Sequence, residues 1–321
     1  MACYQRGSLG PEVGKIQQKL TDLRLYSGPI DGSYGGGTEA AVKAFQSGAG
    51  LAADGDVGPA TWAKLFSDSQ MQEPAIKSEP LTNRCLALTG SFETGSAPPE
   101  CFAGLSGDFD GEGISLGVCQ WNLGQGSLQP LLEEIDQSSQ ALVTQIFTNY
   151  ANEFRRVLAS PIEDQLAWAR SIQDSRHVVG EPWQGLLKAL ARTPEFQAIE
   201  TEHAGRLFAT ARSLCSAYKV QSQRALALMF DIAVQNGGIN DVVRAQIERD
   251  FAALDSTQTS QALEVARLQI VANRRAAASN PAWVNDVRIR KLTIANGQGS
   301  VHGRNYDLAA QYGISLAPLT P

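Results

Sequence analysis

The sequence predicts a mainly α-helical protein, with a small three-helix bundle at the N-terminus followed by a larger helical domain that carries a short β-sheet. Three observations predict it. The first 66 residues hold a duplicated turn-and-helix unit, apolar residues recur at helical spacing through much of residues 81–321, and strand-like text is concentrated around Ile114–Trp121. A chain of 321 residues has room for about two domains. Its 43% apolar content suits a folded globular protein and excludes a disordered or collagen-like one.

The duplication sorts the first domain. Asp31, Gly32, Ser33, Tyr34, Gly35 and Thr38 read D-G-x-Y-G-x-x-T, and 23 residues later Asp54, Gly55, Asp56, Val57, Gly58 and Thr61 read D-G-x-V-G-x-x-T. An Asp-Gly pair suits a tight turn, because glycine accepts positive φ and the aspartate side chain bonds the backbone two residues on. Thr38 and Thr61 are natural N-caps for the helices that follow. Behind them, Ala41, Val42 and Phe45 in one copy and Trp62, Leu65 and Phe66 in the other form apolar stripes. A preceding helix should place Val13, Ile16, Leu20 and Leu23 on one face.

This text resembles the peptidoglycan-binding domain found beside many cell-wall hydrolases, over residues 8–66. The resemblance rests on Leu9-Gly10, Val13, Ile16-Gln17, Leu20, Ile30-Asp31-Gly32, Thr38, Ala41-Val42, Phe45-Gln46, Asp54-Gly55, Val57-Gly58-Pro59 and Thr61-Trp62. It implies a glycan-anchoring module, with Tyr34 and Asp31 as exposed contacts near the turns. Packing and turn formation account for most of the matching positions. Residues 67–80, polar and punctuated by Pro74 and Pro80, read as a linker to a second domain over residues 81–321.

Charge and composition exclude several classes. With 27 basic and 33 acidic residues the net charge is −6, which argues against broad affinity for nucleic acid or anionic membranes and leaves recognition to shape. No apolar run reaches the roughly 18 residues needed to span a bilayer. Met1–Gly10 lacks the apolar stretch of a secretory signal, so action outside the cytoplasm would need delivery by other machinery. Five scattered cysteines, an odd number, suggest free thiols in a reducing compartment. Residues 271–304 hold six basic side chains against Asp286 alone and follow an acidic stretch, an arrangement that fits either a cleft of mixed sign or ordinary ion-paired helix faces.

Chemistry concentrates in residues 91–130. Leu81, Cys85, Leu88 and Phe92 keep helical spacing, and Glu93 follows at once. After a loop with Pro98, Pro99 and Cys101 comes Gly107-Asp108-Phe109-Asp110-Gly111-Glu112-Gly113-Ile114-Ser115, then Trp121 and a second turn, Gly124-Gln125-Gly126. A helix-end carboxylate, a glycine-rich turn and a short sheet, in that order, place two acidic groups on opposite sides of a groove. Glycoside hydrolysis needs such a pair, one acid to protonate the leaving oxygen and one carboxylate to activate water. Glu93, beside Phe92 in a partly apolar pocket, would suit the acid, and Asp110, in a polar loop, the base. Asp108, Asp110 and Glu112 also admit a calcium loop, but position 12 counted from Asp108 is Cys119 rather than Glu.

At these residues the chain resembles the lysozyme superfamily, most closely its chitosanase-type branch. The resemblance implies a lysozyme-like α+β domain in which Glu93 is the general acid, Asp110, 17 residues on, the general base, and Ser115 a hydroxyl that helps place the attacking water. Leu228-Met229-Phe230-Asp231-Ile232-Ala233-Val234-Gln235-Asn236-Gly237-Gly238 is similar to the family's buried central helix. Trp121 and Asp108 are further candidate substrate contacts. So are His302 and Arg304 in the polar, glycine-rich segment 296–305. The loop before Asp110 and Gln120-Trp121-Asn122 depart from the family text, so substrate identity does not carry over.

Other chemistries find less support. His177, His203 and His302 are far apart with no zinc-binding spacing, and Ser300-Val301-His302-Gly303-Arg304 lacks the cysteine of a transpeptidase loop. No metal or cofactor is expected. The sequence therefore predicts a monomeric cell-wall hydrolase acting on peptidoglycan glycan strands, with no nucleic acid partner and no stable membrane insertion. Its layout resembles that of modular phage endolysins and is shared by exported antibacterial effectors. A chitosanase-type glycosidase and a non-catalytic wall-binding protein are the alternatives.

Overall fold

The computed structural model describes residues 3–8, 11–67, 70–254 and 259–319. Leu9 and Gly10 of the N-terminal motif and Asp68 and Ser69 of the predicted linker lie outside them. The chain is mainly α-helical, with two short sheets. Helices α1 (Pro11–Asp22), α2 (Gly36–Gly48) and α3 (Pro59–Phe66) form the N-terminal bundle, and α4 (Leu81–Thr94) leads to strands β1 (Leu105–Ser106), β2 (Ser115–Leu116) and β3 (Trp121–Asn122). Then come α5 (Gln129–Ser138), α6 (Gln140–Phe147), α7 (Ala151–Leu158), α8 (Ile162–Ser171), α9 (Trp183–Ala191) and α10 (Pro194–His203). The last part holds α11 (Gly205–Ala217), α12 (Gln223–Asn236), α13 (Asp241–Ala252), α14 (Ser260–Ala277), α15 (Val284–Asn296), strands β4 (Gln298–Val301) and β5 (Arg304–Asp307), and α16 (Leu308–Tyr312).

The chain divides into two compact units, one of residues 1–88 with 205–321 and the other of residues 89–204. This division differs from the boundaries drawn from sequence, which separated the bundle at residue 66 and kept residues 81–321 together. The predicted linker is part of the first unit's packing. Met71 lies against the bundle core, the Tyr4 hydroxyl donates to the Gln72 carbonyl (3.1 Å), and residues 75–78 form a 3-10 turn.

In the bundle, Val13, Ile16, Leu20, Val42, Trp62 and Leu65 make a closed apolar core. Leu23 is not on that face; it follows the end of α1 and is exposed. The two Asp-Gly turns are built by one device used twice. Gln17, fully buried on α1, donates from Nε2 to Asp31 Oδ1 (2.8 Å) and the Ser33 carbonyl (3.0 Å), and its Oε1 accepts from Gly32 N (2.9 Å). Gln46 on α2 repeats this with Asp54 Oδ1 (2.8 Å), the Asp56 carbonyl (2.8 Å) and Gly55 N (2.9 Å). Thr38 and Thr61 are not the N-caps the sequence predicts. Gly35 and Gly58 occupy those positions, and each threonine hydroxyl is buried as a further acceptor for its glutamine (3.3 and 3.1 Å).

The C-terminal part of the first unit is organised around α12, whose residues 225–233 are all buried. Asp231 within it accepts from Arg290 Nη2 (2.6 Å) and Lys291 Nζ (2.6 Å), three charged groups each 1% exposed or less. Burial alone would raise the Asp231 pKa, but the two cations override that effect and hold it at about 2. The basic segment 271–304 is thus partly an interior ion-pair partner, and it offers less basic surface than its text implies. The polar, glycine-rich segment 296–305 belongs to the antiparallel β4–β5 hairpin, whose turn residues His302 and Gly303 both adopt positive φ.

Among the described residues no helix is long and apolar enough to cross a membrane. Gln46→Leu, which strands the donors and acceptors of the second turn, should destabilise the bundle by about 2–4 kcal/mol. Exposed Gln18→Ala should change stability by under about 0.5 kcal/mol. Denaturant unfolding of the two variants checks both values.

Candidate functional site

Helix α4 begins in the first unit, where Cys85 and Leu88 are buried, and ends in the second, where Phe92 is buried and Glu93 sits exposed in the last turn, as the sequence predicts. Glu93 lines a cavity of about 240 Å³ with Thr94, Ser96, Ser106, Gln120 and Lys188. These walls are polar and open, unlike the partly apolar pocket expected beside Phe92, because the Phe92 ring is turned into the core and is 1% exposed. Gln120 reaches this cavity from a left-handed backbone conformation (φ 54°), pinned through Ser106 Oγ (2.6 Å) and the Gly117 carbonyl (3.0 Å).

The sheet that carries the other candidates is antiparallel in the order β1-β2-β3, with Ser106 opposite Ser115 and Ser115 opposite Asn122. Ser115 Oγ accepts from Asn122 Nδ2 (3.0 Å), so the hydroxyl's own proton is the one left to donate to a further partner. In the loop between β1 and β2, the two aspartates have opposite fates. Asp108 is 6% exposed; its Oδ1 accepts from Gly113 N (2.8 Å) and its Oδ2 from Arg170 Nε (2.9 Å). Arg170 also donates to the Gly111 carbonyl (3.1 Å), so α8 grips both ends of the turn. Burial works to raise the Asp108 pKa, but the amide and the guanidinium overcome it and hold the carboxyl below its ordinary range. Asp108 is therefore a brace, and its carboxylate is already occupied. Asp110, two residues on, is exposed at the tip, with Oδ1 accepting only the short-range Glu112 N–H (3.1 Å) in the described bonding.

Trp121 on β3 is half-buried. Its ring edge meets His203, and its indole N–H points inward toward Glu200 without closing a full hydrogen bond. Glu200 is a buried acid that no motif marks. Its Oε1 accepts from Val118 N (2.7 Å), and burial pushes its pKa well above the ordinary carboxylate range, against the weaker pull of that amide and the indole. Gly117 (φ +89°) lies so close that a Cβ would sit 2.0 Å from Glu200 Oε1, so only glycine fits here. The one sequence signal for Glu200 is periodicity, since it shares the buried stripe of α10 with Phe196 and Ile199.

The remaining candidates stand in the first unit. Tyr34 is not an exposed contact: it is 1% exposed and its hydroxyl donates to the Gly55 carbonyl (2.8 Å). Asp31 is exposed, but its Oδ1 is taken by Gln17 and Ser33 N. His302, in the hairpin turn, pairs with Asp286 (2.6 Å), and Arg304 acts on the acidic side chains Glu39 and Asp56 of the bundle. No group of three His, Cys, Asp or Glu side chains is placed to hold a metal ion among the described residues, and all five cysteines are free thiols.

Comparison with known proteins adds identity to the bundle. Residues 10–65 match the family described as "Putative peptidoglycan binding domain". An uncharacterized protein of Kitasatospora aureofaciens is 46% identical over 67 residues, covering 20% of this chain and 57% of that protein. A spore cortex-lytic enzyme of Oceanobacillus iheyensis is 35% identical over 75 residues, or 23% of this chain and 27% of the enzyme. The chain thus spans well under two thirds of these relatives. A solved chitosanase complex aligns with 73% of this chain and 99% of its own at 18% identity, with a TM-score of 0.46.

Asp108 has a pH signature of its own. A carboxyl whose folded pKa lies below its unfolded value contributes stability above the unfolded pKa, about 3.9, and loses it as pH falls through the folded value. Unfolding free energies between pH 5 and pH 2 should therefore drop more steeply in the wild type than in Asp108→Asn. Parallel curves for the two proteins would remove Asp108 from the account.

Proposed function

We propose that the protein is a peptidoglycan hydrolase that cleaves β-1,4 glycosidic bonds. In this reading Glu93 is the general acid, Asp110 the general base, and Ser115 helps hold the attacking water. The observation that carries the reading is the division of labour in the 107–113 loop. Asp108 is committed to bracing, so the neighbouring Asp110 can face solvent at a fixed place. The match of residues 10–65 to a peptidoglycan-binding family supports the polymer, and the cortex-lytic relative supports a lytic role for a chain built on that module. Tethering by the bundle would raise the local concentration of the acid pair on an insoluble substrate.

The proposed chemistry divides between the two carboxyls. Glu93, as the acid, gives its proton to the glycosidic oxygen as the bond to the anomeric carbon breaks. Asp110, as the base, takes a proton from the water that attacks the opposite face, with Ser115 Oγ orienting that water. Water bound between the base and the sugar gives inversion at the anomeric carbon, the outcome that accompanies carboxyl separations of about 6.5–9.5 Å. Lys188 and Gln120, on the walls of the Glu93 cavity, supply donors for the leaving sugar. Action on the periplasmic wall, as a phage lysin or an exported effector acting as a monomer, completes the proposal.

Mass spectrometry of soluble products from purified peptidoglycan tests it, with chitosan in parallel. Disaccharide-peptides with reducing N-acetylmuramic ends are expected from the wild type. Glu93→Gln and Asp110→Asn should each reduce their release by about 10²–10⁴-fold. Release of free peptides from intact glycan, or products from chitosan alone, would sink the reading.

A further inference from the structure

Glu200, on α10, is a fully buried acid that the proposed chemistry leaves without a role. Its Oε1 accepts from Val118 N (2.7 Å), while Oε2 is buried with no hydrogen-bond partner among the described residues. One amide and the Trp121 indole act on it, and no cation does. The titratable groups nearby are the Cys101 thiol, buried in the 3-10 turn of residues 100–103, and His203 beyond the Trp121 ring. A lone carboxylate in such a place would be costly, so burial favours the uncharged, protonated acid.

The contacts of Glu200 lead to the Glu93 cavity by two routes. Along the chain, Val118 belongs to the turn 117–120 between β2 and β3, and Gly117 of that turn lies directly against Glu200 Oε1. The Gly117 carbonyl accepts from both Gln120 N (3.2 Å) and Gln120 Nε2 (3.0 Å), so the turn that Glu200 holds is the one that folds Gln120 back on itself. A left-handed backbone (φ 54°) is strained for glutamine and persists where the surroundings enforce it; here it brings the side chain to the wall of the Glu93 cavity. Across space, Val118 packs onto α4 at Gly90, where a Cβ would lie 2.5 Å from Val118 Cγ2. Glu93 follows three residues later, nearly one helical turn on.

We infer that Glu200 is a positioning residue for this site: through its bond to Val118 N it fixes the 117–120 turn, and through that turn it holds the Gln120 amide beside Glu93. The inference rests on the proposed hydrolase reading and adds to it a residue that touches no substrate. What the role requires is reach and an acceptor oxygen, with no charge. Glutamine at position 200 has both. Methionine fills a similar space without the acceptor, and aspartate keeps the acid but is one methylene too short.

NMR of the full chain with labelled glutamine side chains tests it. The Gln120 amide signals, assigned by their loss in Gln120→Ala, should keep their wild-type positions in Glu200→Gln and move toward those of solvent-exposed glutamines in Glu200→Met and Glu200→Asp. Product release from peptidoglycan should follow the signals, with Glu200→Gln rescuing the wild-type rate and the other two slower by about tenfold. Glu200→Met combined with Gln120→Ala should be no slower than Gln120→Ala alone, because both changes act through one amide. Gln120 signals unmoved in Glu200→Met and Glu200→Asp, losses that multiply in the double variant, or a Glu200→Gln as slow as Glu200→Met would overturn the inference. So would failure of both Glu200→Met and Glu200→Asp to show a folded melting transition, which would make Glu200 a folding residue. Signals and products fail separately. Gln120 signals that move while the wild type releases no products keep the positioning role and remove the hydrolase reading; unmoved signals with Glu93-dependent release do the reverse.

Discussion

A polar group removed from water must find a partner inside the protein or cost several kcal/mol, and this constraint shapes both units. Several fixed features of the molecule are built around a buried polar side chain that bonds across elements. Gln17 and Gln46 hold the two Asp-Gly turns, Asp231 gathers Arg290 and Lys291 onto α12, and Asp108 ties the 107–113 loop to α8. Apolar contacts close-pack the space between these points, and a carboxylate that accepts one amide and one guanidinium adds a directional constraint to that packing.

The same constraint explains what the sequence displays and what it hides. Helical spacing made α4 and the position of Glu93 legible, because a stripe of Cys85, Leu88 and Phe92 leaves the next residue little choice. The glycine-rich turn and the short sheet after it were readable from the glycines of 107–113 and the strand-like text around Ile114–Trp121. The roles of polar residues were not, since a threonine after a turn looks alike whether it caps a helix or serves a buried glutamine. Thr38 and Thr61 take the second role, and their partners stand 21 and 15 residues away. Tyr34 reads as exposed from its turn, yet its hydroxyl has a carbonyl to meet inside. The β4–β5 hairpin was hidden because its turn is His302-Gly303 and its strands carry few β-formers. The division into units follows contacts across more than a hundred residues, which no local pattern encodes.

Within the second unit, the candidate site is a set of loops fixed from behind. Glu200 supports the β2–β3 turn through Val118, α8 supports the 107–113 loop through Arg170, and the 173–178 turn supports it again through Gln173. Asp110 faces solvent beside these braces and takes part in none of the three. A site in which support and exposed side chains fall to different residues can keep its geometry while the exposed ones are exchanged.

The doubled turn of the bundle repeats that separation within one motif. Both copies keep the glutamine, the aspartate, the glycine and the threonine that close the hydrogen bonds, and they differ at the position after Asp-Gly, where Ser33 stands in one and Asp56 in the other. The turn uses the backbone of that residue, whose N–H donates to the aspartate and whose carbonyl accepts from the glutamine. Its side chain makes none of the turn's bonds to the glutamine, so the two copies close the same turn with different groups there. A duplicated frame of this kind therefore presents two different side chains, Ser33 and Asp56, from one and the same hydrogen-bonded architecture.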